Sequence, residues 1–259
     1  MLRTVVATRY ATPLREGGSV PGIVEADDDG LYVVKFRGAG QGPKALVAEL
    51  IAGEIGRWLG LLVPEIVLVD FDRALAAGEP DPELQPVLER SAGLNVGLDF
   101  LPGALTFDRS VGPVPDRDVA AAVVWFDGLV TNVDRTPRNP NLLVWHRRVW
   151  LIDHGAALYI HHRWHDPQEH ARRAMPALRD HILLPLAGPI GGADERLAGM
   201  LDRDRLEVIV AGVPDSLLEP EPGLPDPAAH RRAYVDYLLA RLAAPRPFVK
   251  EADRARVAA

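Results

Sequence analysis

The first hundred residues carry short apolar runs broken by turn residues, and the period of the pattern changes after them. Runs at 5–7, 19–25 and 31–36 are rich in Val, Tyr and Phe, which predicts strands joined by tight turns. Within 45–59, Leu46, Leu50, Ile51, Ile55 and Leu59 recur three and four apart, which predicts a helix with one apolar stripe. Gly60 ends it, and 63–69 reads as a strand with Pro64 near its start. Residues 73–91 are proline-rich and read as surface loop, while 94–101 reads as a further strand stopped by Pro102-Gly103. From there the spacing turns helical, and Val119, Val123, Phe126 and Val130 predict a helix over 117–130. Two apolar runs, 142–145 and 149–152, flank the polar His146-Arg147-Arg148 and predict a hairpin. A short helix at 202–210, a proline-rich connector and an amphipathic helix over 228–242 complete the pattern. The charged tail at 245–259 is expected to fray. The pattern describes an α+β chain in two lobes: a β-rich lobe with one main helix over 1–101, and a mostly helical lobe over 102–244.

Composition narrows the classes this chain can belong to. A hydrophobic content of 47% with 25% charged residues is that of an ordinary globular chain. The formal net charge of −7 argues against a nucleic-acid or membrane-surface binder, both of which need a basic face. Cysteine is absent, which excludes thiol nucleophiles, disulfides and Cys-ligated zinc. Neither an apolar leader nor a membrane-length apolar run is present, so the expectation is a soluble cytoplasmic protein.

The candidate chemistry concentrates at 131–158. This stretch holds two carboxylates, Asp134 and Asp153, and two amides, Asn139 and Asn141. Folding the hairpin back sets both asparagines beside Asp153, an oxygen-rich set that suits a hard divalent cation such as Mg2+. Upstream, Lys35 lies in a strand built for burial, on the face opposite Val34 and Phe36. Glu49 flanks the apolar stripe of the following helix, whereas Glu54 reads as solvated. A strand lysine followed by a helical glutamate suits a phosphate-gripping lysine held by an ion pair. A solvated lysine is the competing reading, just as Asp134 and Asn139 can be turn residues and Asp153 a helix cap. Weaker signals are the Gly17-Gly18 turn as a phosphate cradle, Asp70 and Asp72 as an Asp-x-Asp metal pair, and His161 with His165 as a zinc pair. Phosphoryl transfer gives the main set a mechanical reason: one aspartate aligns the acceptor hydroxyl and takes its proton. A second aspartate and an amide hold the metal, while Arg135 and Arg138 add positive charge.

The strings D-R-T-P-R-N and V-W-L-I-D-H-G resemble the D-x-x-x-x-N and D-F-G elements of the protein-kinase-like superfamily, with His154 in the phenylalanine position. The likeness is greatest to the HipA-like kinases, and then to the phosphatidylinositol kinases with their D-R-H-x-x-N loop. The run K-F-R-G-A-G-Q-G-P-K-A-L-V-A-E-L and the segment L-D-F-L-P-G-A also look HipA-like, so the resemblance covers roughly residues 20–160 in order. It implies a bilobal protein-kinase-like fold with Asp134 as the catalytic aspartate and Asn139 and Asp153 as metal ligands. Asn141 competes with Asn139. Lys35 would grip the ATP phosphates, Glu49 would orient it, and the backbone at Asp99, Phe100 and Leu101 would meet the adenine. Thr136 replaces the Lys or His of many relatives, no HRD-type histidine precedes Asp134, and no A-P-E-type segment end follows. The implied activity is Mg2+-dependent transfer of the ATP γ-phosphate to a hydroxyl acceptor, a protein serine or threonine or a small molecule. The alternatives are a nucleotide-binding pseudokinase and a glycosyltransferase using Asp70 and Asp72.

Overall fold

Five strands close into a barrel in the computed structural model, which describes residues 2–14, 21–40 and 42–258. They are β1 (Arg3–Pro13), β2 (Gly22–Ala26), β3 (Leu31–Lys35), β4 (Ile66–Phe71) and β5 (Gly93–Asp99). Their order is β1-β2-β3-β5-β4, antiparallel except for the closing β1–β4 pair, where Val5 stands opposite Val69. Val5, Val24, Val34, Val67, Val69 and Phe71 fill the interior, with Phe36 set edge-on to Phe71 at 5.2 Å between ring centroids. The strand expected at 5–7 therefore lies in the first half of a longer, eleven-residue strand.

Between β3 and β4 runs α1 (Gly42–Trp58), whose stripe of Leu50, Ile51 and Ile55 covers the outer face of β4 and β5 at Ile66, Leu68, Val96 and Leu98. Both faces of β4 are thus buried, which explains its unbroken apolar run. A Cβ on Gly53 would stand 2.3 Å from Ile66 Cδ1, so this glycine lets α1 lie close against the barrel. The proline-rich stretch at 73–91, expected as loop, contains a 3-10 turn at Arg73–Gly78 and the short helix α2 (Gln85–Glu89). Their Ala76 and Leu88 complete the barrel core.

Beyond β5 the chain forms β6 (Leu105–Thr106), α3 (Arg117–Val130), and the hairpin β7 (Leu142–Trp145) and β8 (Arg148–Leu151). The three strands form a small sheet in the order β6-β7-β8. The hairpin turns on His146 and Arg147, both at left-handed φ, as two-residue hairpins require. α4 (Pro167–Ala171), α5 (Ile190–Leu197), α6 (Arg203–Ala211), α7 (Pro227–Leu242) and α8 (Pro247–Ala258) follow. α3 is the hub, buried at every residue from Ala120 to Val130 and packed on α5, α7 and α8.

The tail expected to fray is α8. Its single aromatic, Phe248, is fully buried between Trp125 at 6.2 Å and the Arg241 guanidinium at 4.6 Å. One aromatic ring anchors the segment where its charge pattern suggested solvent. α1 is also tied to the second half of the chain. Lys44 Nζ donates to Glu221 Oε2 (2.9 Å) and to the His161 carbonyl, and Trp58 Nε1 donates to the Met200 carbonyl (3.1 Å). The Arg205 guanidinium lies 4.4 Å from the Trp58 ring. No helix among the described residues is long and apolar enough to cross a membrane. The Gly17-Gly18 turn lies outside the described residues.

Candidate active site

A cleft of about 750 Å³ opens between the barrel and the helical part, a volume suited to a small-molecule ligand. One wall comes from β3 and α1, through Val33, Lys35, Ala45 and Leu46. The rim is Asp99, Phe100 and Leu101, and the floor holds Asp134, Asn139, Asn141 and Asp153.

Lys35 ends β3 with its side chain buried beneath α1. Its ammonium donates to Glu49 Oε2 (2.5 Å) and to Asp153 Oδ1 (2.6 Å). Glu49 is fully buried, so neither it nor the lysine is the solvated side chain of the competing reading. Burial pulls the Lys35 pKa down, but the charges of Glu49 and Asp153 outweigh it and hold it above its ordinary value. Burial likewise pushes Glu49 up, but Lys35, together with His154, holds its carboxyl well below the usual range. Glu49 Oε2 also accepts the His154 backbone N–H (2.7 Å), and His154 Nδ1 lies 3.1 Å from Oε1. With Glu49 ionised, the ring hydrogen sits on Nδ1 and donates to it. His154 is itself buried, edge-on to Phe126.

Asp153 takes a left-handed φ of 54°, a conformation that aspartate tolerates and that leaves its carboxylate open to the cleft. It follows β8 directly, so the hairpin register fixes its height in the cleft. Gly155 lies beyond it, where a Cβ would stand 3.5 Å from Asp153 Oδ1 and 3.6 Å from Lys35 Nζ. Opposite, Thr131 ends α3 in a left-handed conformation and turns the chain into the loop of Asp134. Asn139 Nδ2 donates to Asp134 Oδ2 (2.8 Å), and Asn141 Nδ2 approaches the same oxygen at 3.4 Å. Both amides therefore sit beside Asp134 with their oxygens free, Asn139 exposed and Asn141 buried.

Arg135 departs from expectation. Its guanidinium turns away from the cleft into the core, where Nε donates to Asp127 Oδ2 (2.6 Å), so its charge is neutralised there. Arg138 stays exposed on the loop. Neither Asp127 nor its second partner His181 was singled out from sequence. The available signal was a carboxylate inside the apolar run W-F-D-G-L-V, which requires a buried partner.

The weaker motifs lie elsewhere. Asp72 Oδ1 caps the 3-10 turn by accepting from Ala74 N (2.8 Å), and neither it nor Asp70 lines the cleft. His161 is buried against the Tyr234 hydroxyl (3.1 Å), and burial, then His162 and Lys44, push its pKa down to about 3. His165 is exposed, so the two do not form a zinc pair. Among the described residues no group of three or more His, Asp or Glu stands ready for a metal ion; the floor of the cleft offers the carboxylates of Asp134 and Asp153 with two amide oxygens instead.

The chain is similar to known proteins in sequence pattern and in fold. A family model described as HipA-like kinase matches residues 8–181. The crystal structure of a Helicobacter pylori proinflammatory kinase, CtkA, is similar in fold, with a TM-score of 0.55 and 15% identity over 98% of this chain and 99% of that one. Comparison with curated proteins gives no match.

Proposed function

The chain belongs to the HipA-like kinase family, and from that premise we propose that it transfers the γ-phosphate of Mg2+-bound ATP to a hydroxyl acceptor. The observation that carries this reading is the meeting of Lys35 and Asp153 in one cleft with Asp134, Asn139 and Asn141, with Glu49 buried behind the lysine and paired to it. We take residues 1–101 as the nucleotide-binding lobe and the chain from 102 onwards as the catalytic lobe.

The residues present fit the group. Carboxylate and amide oxygens are the donors a hard divalent cation prefers, and glycine at 155 keeps the floor beside Lys35 clear. Bound ATP with Mg2+ supplies the phosphoryl group and offsets its charge. Lys35, kept cationic by two carboxylates, holds phosphate oxygens, and Glu49 fixes its position. Asp153 and one or both asparagines hold the cation. Asp134 orients the acceptor hydroxyl and takes its proton. The rim at Asp99–Leu101 receives the base. The acceptor is a protein serine or threonine or a small molecule.

Thermal unfolding with and without ligand tests this. Saturating MgATP at about 100 times its dissociation constant adds about 2.7 kcal/mol of apparent stability. Asp153→Ala is expected to abolish that gain. Asp134→Ala is expected to keep binding and lose phosphotransfer. No Mg2+-dependent shift in the wild type overturns the reading; binding without turnover makes the chain a pseudokinase-type nucleotide-binding module.

A further inference from the structure

Asp127 lies in the last turn of α3, fully buried, and four hydrogen bonds converge on its carboxylate. Asn132 Nδ2 donates to Oδ1 (2.9 Å), as does Arg135 Nη2 at 3.5 Å. Arg135 Nε donates to Oδ2 (2.6 Å), and His181 Nε2 lies 2.8 Å from the same atom. His181 Nδ1 accepts the Leu183 backbone N–H (3.1 Å), so its hydrogen must sit on Nε2 and point at Asp127. Arg135, Asn132 and His181 are all buried too.

These partners lead to both halves of the site. Asn132 Oδ1 accepts the backbone N–H of Asp134 (3.2 Å). Arg135 Nη1 donates to the carbonyl of Asn141 and to that of Ile152 (3.3 Å), the residue before Asp153. The Asn141 carbonyl also accepts Ile152 N–H (3.1 Å), so one guanidinium closes the open end of the hairpin. Ile182 N–H donates to the Arg135 carbonyl (3.1 Å), which fixes the arginine backbone to the segment carrying His181.

A buried ion pair contributes little net stability compared with apolar residues of the same volume. Geometry is what this one supplies. We infer that Asp127, acting through Asn132 and Arg135 and braced by His181, is the positioning centre that sets the spacing between Asp134 and Asp153. The inference rests on the phosphotransfer reading for its consequence, since reacting groups misplaced by about 1 Å lose rate about 10²-fold. The arrangement needs a fork: a lysine at 135 keeps the charge but cannot reach Asp127 and two carbonyls together.

The test compares wild type with Arg135→Lys and His181→Phe, using amide hydrogen exchange and phosphotransfer in parallel. In Arg135→Lys, exchange should quicken at both 132–139 and 150–154 while the barrel strands keep their protection. Turnover should fall about 10–100-fold at unchanged MgATP affinity, the range seen when an outer-shell partner is lost. His181→Phe should shift the same two segments to a smaller extent, and it decides the matter alone if Arg135→Lys fails to fold. Exchange that rises in one segment only, or equally in the barrel, overturns the inference, as does turnover that falls only in step with MgATP affinity. A wild type that binds MgATP but transfers no phosphate sinks the kinase reading, while the exchange pattern still decides the positioning role.

Discussion

At Lys35, burial and charge pull in opposite directions, and the outcome sets what each substitution does. Removing the ammonium in Lys35→Met leaves Glu49 ionised and fully buried, with only His154 to answer it. The expected loss is about 3–5 kcal/mol in urea unfolding, the usual penalty for breaking a buried pair from one side. Asp153→Ala removes a carboxylate that is one-third exposed, so its stability loss should be small even though ligand binding disappears. That Lys35 and Glu49 face one another and that Asp153 follows a hairpin strand could be expected from sequence, because each sits at a fixed offset from a strand, helix or hairpin. The inward turn of Arg135 could not. Its partner Asp127 lies eight residues away inside a helix, and the brace His181 lies 54 residues from Asp127. Periodicity reports which face a side chain occupies, not which remote group answers it.

Elements were legible in proportion to the density of their apolar signal. α1, α3 and α7 and the β7–β8 hairpin carry repeated apolar positions, and each falls within a few residues of its expected range. α8 buries only Phe248, Val249 and Ala252 of twelve residues, too sparse a stripe to stand out against its charges. Phe248→Ala should therefore cost about 3–5 kcal/mol, the range for deleting a buried aromatic ring. Circular dichroism melts of the variant check this; a change near zero would mean that α8 does not hold α3 in place. Closure of the barrel by the parallel β1–β4 pair left no local trace, because a parallel partner is joined through a long crossover rather than a turn.

Across the whole molecule, acid should act in two stages. His161 has a folded pKa of about 3 against an ordinary 6.5, so between those values the unfolded chain binds the extra proton. Stability then rises with pH, with a slope approaching 1.36 kcal/mol per unit for this one group. Glu49 and Asp127 are held below their ordinary 4.5 and 3.8, so their contributions are fully present above those values and are lost as pH falls below them. Lys35, raised above 10.5, contributes below that value and loses its contribution as pH rises past it. His161→Gln should flatten the stability profile between pH 6.5 and 4.5 and leave the steeper fall below 4.5 in place. Urea midpoints taken across that range read both stages.

The ties that hold α1 also set a timetable for synthesis. Lys44 waits for Glu221, 177 residues later, and Trp58 waits for Met200, 142 residues later. At roughly 5–20 residues per second, the helix bearing Glu49 spends roughly 9–35 s without that Lys44 partner. A nascent chain stopped before Arg203 lacks α6 and the turn at Asp215–Leu217, both of which pack on α1 in the finished protein. Such a fragment should be cut within α1 by a protease that leaves the full-length protein intact. The Lys35–Glu49 pair is laid down early in sequence, yet the helix that carries Glu49 goes on gaining partners until Glu221 is made.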